Sequence, residues 1–193
     1  MKSGIKLLYG VGLNDADYTV NKLIAGKRIW CKFYTRWRNM LARCYDLKYQ
    51  ENHPTYIGCS VAKEWHSFMT FRGWMELQDW QGNHLDKDLL INGNKVYSPE
   101  TCVFISHELN NFTLDSSSSR GLWPVGVSFH NSYGMFEAYC RNPFSKIKDH
   151  IGYFSCPKEA HLAWRKRKHE LACQLAALQA DQRVATALRV RYL

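Results

Sequence analysis

The sequence predicts an α+β protein in two parts. Three patterns carry this: two stretches with apolar residues at steps of three and four, a strand–turn–strand–helix order near the middle, and three short strands before a long helix near the end. The expected layout is an extension over 1–28, a first domain over 29–113, a Ser-rich linker over 114–121, a second domain over 122–180 and a helical extension over 181–193.

From Ile29 to Tyr45, Trp30, Phe33, Tyr34, Trp37, Met40 and Leu41 describe one helical face, with Lys32, Arg36, Arg38 and Arg43 largely off it. A loop follows over "ENHPTYIG", then a short strand at "CSVA". Glu64 to Trp80 predicts a second amphipathic helix with Trp65, Phe68, Phe71, Trp74 and Met75 inward. Leu85 and Leu89 bracket a charged strand, "NGN" is a turn suited to positive φ, and "CVFI" is a buried strand. Ser106 then opens a short helix over "HELNN", with Glu108 near its N-terminus.

In the second part, "GVSFH", "GMFEAYCRN" and "IKDHIGYFS" are separated by the turn signals "NSYG" and "NPFSK". Val127, Phe129, Phe136, Ala138 and Cys140 share one face. Ser128, His130, Met135, Glu137, Tyr139 and Arg141 take the other. The helix after them carries Ala160, Ala163, Trp164, Leu171, Leu175 and Leu178 as its apolar stripe, and "RKRK" at 165–168 reads as its solvated outer face.

Composition narrows the partners. Hydrophobic residues make up 46% of the 193, enough for packed cores, and no run approaches the eighteen or so apolar residues of a membrane helix. The opening "MKSGIKLLYGVG" lacks the shape of a signal peptide. Seven Cys without any Cys-x-x-Cys pair point to buried free thiols in a reducing cytoplasm and to no structural zinc. The formal charge is +9, and it is uneven. Up to Ser119 there are 14 Lys and Arg against 12 Asp and Glu, whereas from Arg120 onward there are 12 against 5. That concentration makes nucleic-acid phosphate the expected counterpart, because each docked cation releases a condensed counterion.

A hairpin backed by a helix, with a carboxylate on its first strand, is a layout that can hold one Mg²⁺ against a scissile phosphate while a nearby base deprotonates water. The segments "RWRNMLARCY", "YIGCSVAKEWHSFMTFRGWM" and "LDKDLLINGNKVYSPETC" resemble the phage-encoded branch of the HNH endonuclease family over roughly Trp37 to Asn111. The resemblance implies a ββα-metal core, a divalent cofactor such as Mg²⁺ and homing-type hydrolysis of double-stranded DNA. Asp86 matches the metal-binding Asp, and Asn111 the polar residue that closes the helix. Lys87 stands where the signature has its general-base His, and Thr101 where a metal-binding Asn is usual. A lysine with its ordinary pKa of about 10.4 is a cation at neutral pH and takes no proton from water unless it is strongly desolvated. His84 is the substitute base, with Asp86 and Asp88 on the metal, if all three share a strand face; the plainer reading makes His84 and Asp88 ordinary solvated side chains.

The run "GVSF…MFEAY…IGYFSCPKEAHLAWRKRK" resembles the integrase-like APETALA2 DNA-binding domain through Gly126, Val127, Phe136, Ala138, Gly152, Phe154, Glu159, Ala160 and Ala163. That resemblance implies a sheet laid in the major groove. It makes Trp123, His130, Tyr139, Arg141, Lys146 and Lys148 candidate DNA contacts, with Glu137 a discordant charge unless it reads a cytosine amino group. The expectation is a phage-encoded, cytoplasmic endonuclease acting in an infected bacterial host cell. The alternative is a catalytically degenerate scaffold that binds DNA or a host protein.

Overall fold

The computed structural model describes residues 6–114 and 121–193. The fold is mixed helix and sheet with small sheets, and it divides into two compact units between Ile105 and Ser106. Most of the expected Ser-rich linker, 115–120, lies outside the described residues.

The first unit opens with a tight turn in which Leu8 and Gly12 exchange backbone hydrogen bonds. A hairpin missing from the sequence reading follows, with β1 (Asn21–Ile24) antiparallel to β2 (Lys27–Trp30). Ala25 and Gly26 both take positive φ, 48° and 74°, the mirror-image turn that matches strand twist. The first helix, α1 (Lys32–Tyr45), therefore starts three residues later than the periodicity suggests, because Ile29 and Trp30 are paired in β2. It buries Tyr34, Trp37, Met40, Leu41 and Cys44, and α2 (Leu47–Asn52) follows behind the Asp46 cap.

The helix expected over 64–80 is a 3-10 turn, Lys63–His66, and then α3 (Phe68–Glu76). Ser67 causes the break: its hydroxyl accepts from Thr70 N as an N-cap and donates to Asp15 Oδ2 at 2.6 Å, and Trp80 is left outside the helix. Inward rings meet as expected. Trp37 Nε1 donates to the Trp65 carbonyl at 2.7 Å, and Trp37, Trp65, Phe68, Phe71 and Met75 are fully buried. Two strand pairs complete the unit. β3 (Ser60–Val61) runs parallel to β5 (Val96–Tyr97), and β4 (His84–Asp86) runs antiparallel to β6 (Val103–Ile105), placing Asp86 opposite Val103.

The second unit begins with α4 (His107–Thr113), capped by Ser106 Oγ on Leu109 N. β7 (Val127–His130), β8 (Met135–Arg141) and β9 (Lys148–Phe154) form an antiparallel sheet in that order, with a bulge at Ala138 and Tyr139. Ala138 and Cys140 face α5 (Pro157–Ala177), whose Ala160, Leu171 and Ala172 are fully buried. The extension expected over 181–193 is part of this unit: α6 (Gln182–Val190) packs on α5 through buried Val184, Ala185 and Leu188.

The "RKRK" run is only in part the solvated face expected of it, since Arg165 and Lys166 are exposed. Lys168 is buried, and Arg167 is bound to Asp149 at 2.8 Å and to Glu170 at 3.0 Å. Arg165 donates to the Tyr192 carbonyl at 3.0 Å. Leu178, expected inward, is exposed, since α5 ends at Ala177.

Gly126 holds β7 against α5 with φ of +80°, and a Cβ there would run into the Trp164 indole. Gly126→Ala should therefore destabilise the second unit by about 1–3 kcal/mol, since both the left-handed backbone and the overpacking work against it. Amide exchange along β8 measures this, and unchanged protection would show that Trp164 moves aside without cost.

Candidate nucleic-acid interface

The hairpin residues singled out in the sequence fall into two groups. His84 and Asp86 lie two apart on β4, on the same side of the strand, with Leu85 turned into the core between them. Asp88 lies beyond the end of the strand. β4 ends at Asp86, whose Oδ1 accepts from Asp88 N at 3.0 Å and Leu89 N at 2.7 Å, an Asp-type turn that bends the chain away from strand geometry.

Lys87, at the signature's general-base position, is buried. Its ammonium donates to Asp88 Oδ2 at 3.0 Å and to the Asn94 carbonyl at 2.8 Å, 5.9 Å from the centre of the Tyr97 ring. Thr101 Oγ1 donates to the Val96 carbonyl at 2.8 Å and lies 3.1 Å from Ser98 Oγ. Lys87 and Thr101 thus hold the hairpin's own backbone.

One oxygen of Asp86 serves two backbone amides, the Asp88 carboxylate faces an ammonium, and the Thr101 hydroxyl is turned to a carbonyl. Among the described residues no three His, Cys, Asp or Glu side chains gather in a metal-binding group.

Thiols behave as small apolar groups here. Cys44, Cys59, Cys102 and Cys140 are buried, and burial pushes the Cys44 and Cys102 thiols up to about 12. Cys31, Cys156 and Cys173 are partly exposed and unbridged.

The outward face of the β7–β9 sheet has a different character. Strand register sets four cross-strand rungs: His130 with Met135, Ser128 with Glu137 and Tyr153, Tyr139 with His150, and Arg141 with Lys148. At the centre, Glu137 is held by its neighbours. His150 Nε2 lies 3.1 Å from its Oε1, and the Tyr139 and Tyr153 hydroxyls donate to it.

The hydrogen bond from Tyr139 does most to hold the Glu137 carboxyl below the usual range, with the bond from Tyr153 and the nearby His150 and His130 adding to it. The same bond pushes the Tyr139 hydroxyl up to about 12. The side chain is covered by rings, although it sits on a single thin sheet and not deep in a core. The charge that looked discordant is therefore screened within a strip of rings in which His130 stacks on Tyr133 at 4.5 Å and Tyr133 meets Tyr153 edge-on at 5.0 Å.

The expected DNA contacts separate on this frame. Trp123 belongs to the opposite, helix-facing side, packed on Phe136 at 4.7 Å and near Phe129. Tyr139 and His130 lie within the aromatic strip. Arg141 and Lys148 form the exposed rung at its end, with Lys148 5.9 Å from the Tyr139 ring centre. Among the described residues Arg141 has no carboxylate partner. Lys146, in the β8–β9 turn with φ of 64°, is ion-paired to Glu108.

Beside that end of the sheet, within the second unit, lies a cavity of about 330 Å³. His107, Glu108 and Asn111 of α4 line it with Arg141, Lys146 and Lys168. Asn111, matched in sequence to the hairpin site, is bonded here to His107 Nε2 at 2.8 Å. Lys168 was missed as a site residue. Its ammonium donates to the Phe112 carbonyl at 2.7 Å, lies 3.5 Å from the centre of the Phe112 ring, and is pushed down to about 8 by burial. A signal existed: the stripe Ala160, Trp164, Leu171, Leu175 skips one helical turn, and Lys168 fills that gap.

Protein-family models, curated proteins and solved structures were compared with this chain, and none matches it. No helix among the described residues is long and apolar enough to cross a membrane.

Lys168 gives the second unit a distinctive pH response. Its folded pKa of about 8 lies below the ordinary 10.5, so between those values the unfolded chain holds a proton that the folded chain has released. Stability contributed at this position therefore rises with pH across that window. The unfolding free energy of the wild type relative to Lys168→Met should climb by roughly 2–3 kcal/mol from pH 7.5 to 10.5. A difference that stays flat in paired denaturant titrations would place the ammonium in water.

Proposed function

We propose that the protein binds double-stranded DNA through the outward face of the β7–β9 sheet, on a scaffold of phage HNH type whose hairpin no longer needs to cut. The observation that carries this is the Arg141–Lys148 rung, two exposed cations directly opposite each other at the end of an aromatic strip whose one carboxylate is already held by hydrogen bonds from Tyr139 and Tyr153. Three strands span two inter-strand spacings, about 10 Å, against a major groove about 12 Å wide. In this reading Arg141 and Lys148 meet phosphates or guanine edges, and Tyr139 and His150 face the groove floor. The APETALA2-like sequence pattern supports the same docking face.

The engagement of Lys87 and Thr101 within the hairpin favours binding over cleavage. One observation favours the cutting reading, the His84 and Asp86 side chains together on β4. Cleavage with Mg²⁺ would require Asp88 to exchange the Lys87 ammonium for the metal.

Two measurements test these readings. In anisotropy titrations of a fluorescent duplex, Lys148→Gln should weaken binding across sequences and flatten the log-affinity against log-salt slope by about one unit. An unchanged slope removes this face from the interface. For cleavage, supercoiled plasmid is incubated with Mg²⁺ or Mn²⁺ and the wild type or Asp86→Asn, which keeps an oxygen for the Asp88 and Leu89 amides while removing the charge. No nicking by either is the expected result. Nicking lost in Asp86→Asn would establish the endonuclease reading instead.

A further inference from the structure

We propose that the cavity lined by Arg141, Lys146, Lys168, His107 and Asn111 is a seat for one phosphate group, supplied by the DNA backbone that reaches the adjoining sheet face. The identity of the donor rests on the DNA-binding reading; the chemistry of the seat does not. Three cations from three separate elements converge on about 330 Å³, against a single carboxylate, Glu108. Arg141 comes from β8, Lys146 from the turn after it and Lys168 from α5. Asn111 and His107 add polar nitrogens from α4.

The floor of the cavity distinguishes it from an ordinary basic patch. Lys168 is about nine-tenths buried, yet it is bound to a neutral carbonyl and to the faces of Phe112 and Tyr192, with no carboxylate partner among the described residues. An ammonium taken out of water without a counter-charge is costly, and a phosphate above it supplies that charge. The groups facing it are Cys140 of β8, Arg191 after α6 and the cavity cations, and the nearest carboxylate lining the cavity, Glu108, is already committed to Lys146. Glu108 therefore acts as an internal stand-in for the anion. It occupies Lys146 while the seat is empty and gives it up when a phosphate enters.

This arrangement makes opposite demands on two variants. Arg141→Gln removes an exposed donor to the incoming phosphate, whereas Glu108→Gln removes its internal competitor and frees Lys146. The full chain is titrated with inorganic phosphate at constant ionic strength by calorimetry, with the His107 and Asn111 amide resonances followed in parallel. Saturable binding is expected, weakened at least tenfold in Arg141→Gln and strengthened several-fold in Glu108→Gln. It should also weaken from pH 7 to 9 as Lys168 loses its proton. Unsaturable binding, or affinity indifferent to both variants, overturns the seat.

Adding duplex DNA then tests the donor. Release of the bound phosphate supports a backbone phosphate in the cavity, and phosphate retained with the duplex bound overturns that assignment. Saturable phosphate binding in a chain that binds no duplex would leave the seat standing and remove the DNA reading. Duplex binding without a saturable phosphate site would do the reverse.

Discussion

An ammonium with no carboxylate partner among the described residues sits where α4, α5 and the C-terminal turn of the second unit meet. Lys168 reaches from α5 to the Phe112 carbonyl on α4 and lies over the rings of Phe112 and Tyr192. The hydrogen bond and the two ring faces offset part of the desolvation cost, and the lowered pKa shows that they do not offset all of it. Replacing this ammonium with an apolar side chain of similar size would suit the core better, since unpaired buried charge is poor evidence for stability. It stands beside a cavity lined by two further cations, Arg141 and Lys146.

A buried lysine organises the first unit as well, with opposite electrostatics. Lys87 has its counter-ion in Asp88 and a carbonyl in Asn94, so the charge is closed within the hairpin. Asn94 answers by donating to the Lys87 and Val96 carbonyls at 2.7 Å, and Thr101 donates to Val96 from the other side. These bonds knit the segment between β4 and β6 into one network. Lys87 completes its fold internally and Lys168 does not.

Helical faces in α1, α3 and α5 were legible because burial on one side imposes apolar steps of three and four, and β8 was legible because burial on one face imposes alternation. The β1–β2 hairpin escaped notice for the same reason: Leu23, Ile24 and Ile29 are exposed alongside Lys22, Lys27 and Arg28, so no burial pattern marks it. The parallel β3–β5 pair joins residues about 36 apart and leaves no local trace of its partner. At the hairpin, strand alternation extends the pattern of His84 and Asp86 to Asp88, whereas the strand ends at Asp86 in a side-chain turn. At the sheet, register placed Arg141 and Lys148 as expected and sent Trp123 to the other face.

Net charge was the least transferable part of the sequence. Twelve cations follow Ser119, but several of them serve the fold. Arg167 binds Asp149 and Glu170, Arg183 binds Asp181, Arg165 holds the Tyr192 carbonyl and Lys168 is buried. Counting charges along the chain treats all of them as available to phosphate, whereas counterion release counts only those that reach it. Among the others, Lys158, Lys166 and Arg189 are scattered exposed charges, while Arg141 with Lys148 forms a short basic edge next to a cavity whose third and fourth charges, Lys146 and Glu108, are paired with each other. The proposed interface would depend on where a few cations stand, so position along β8 and its turn bears on it more directly than the overall excess of Lys and Arg.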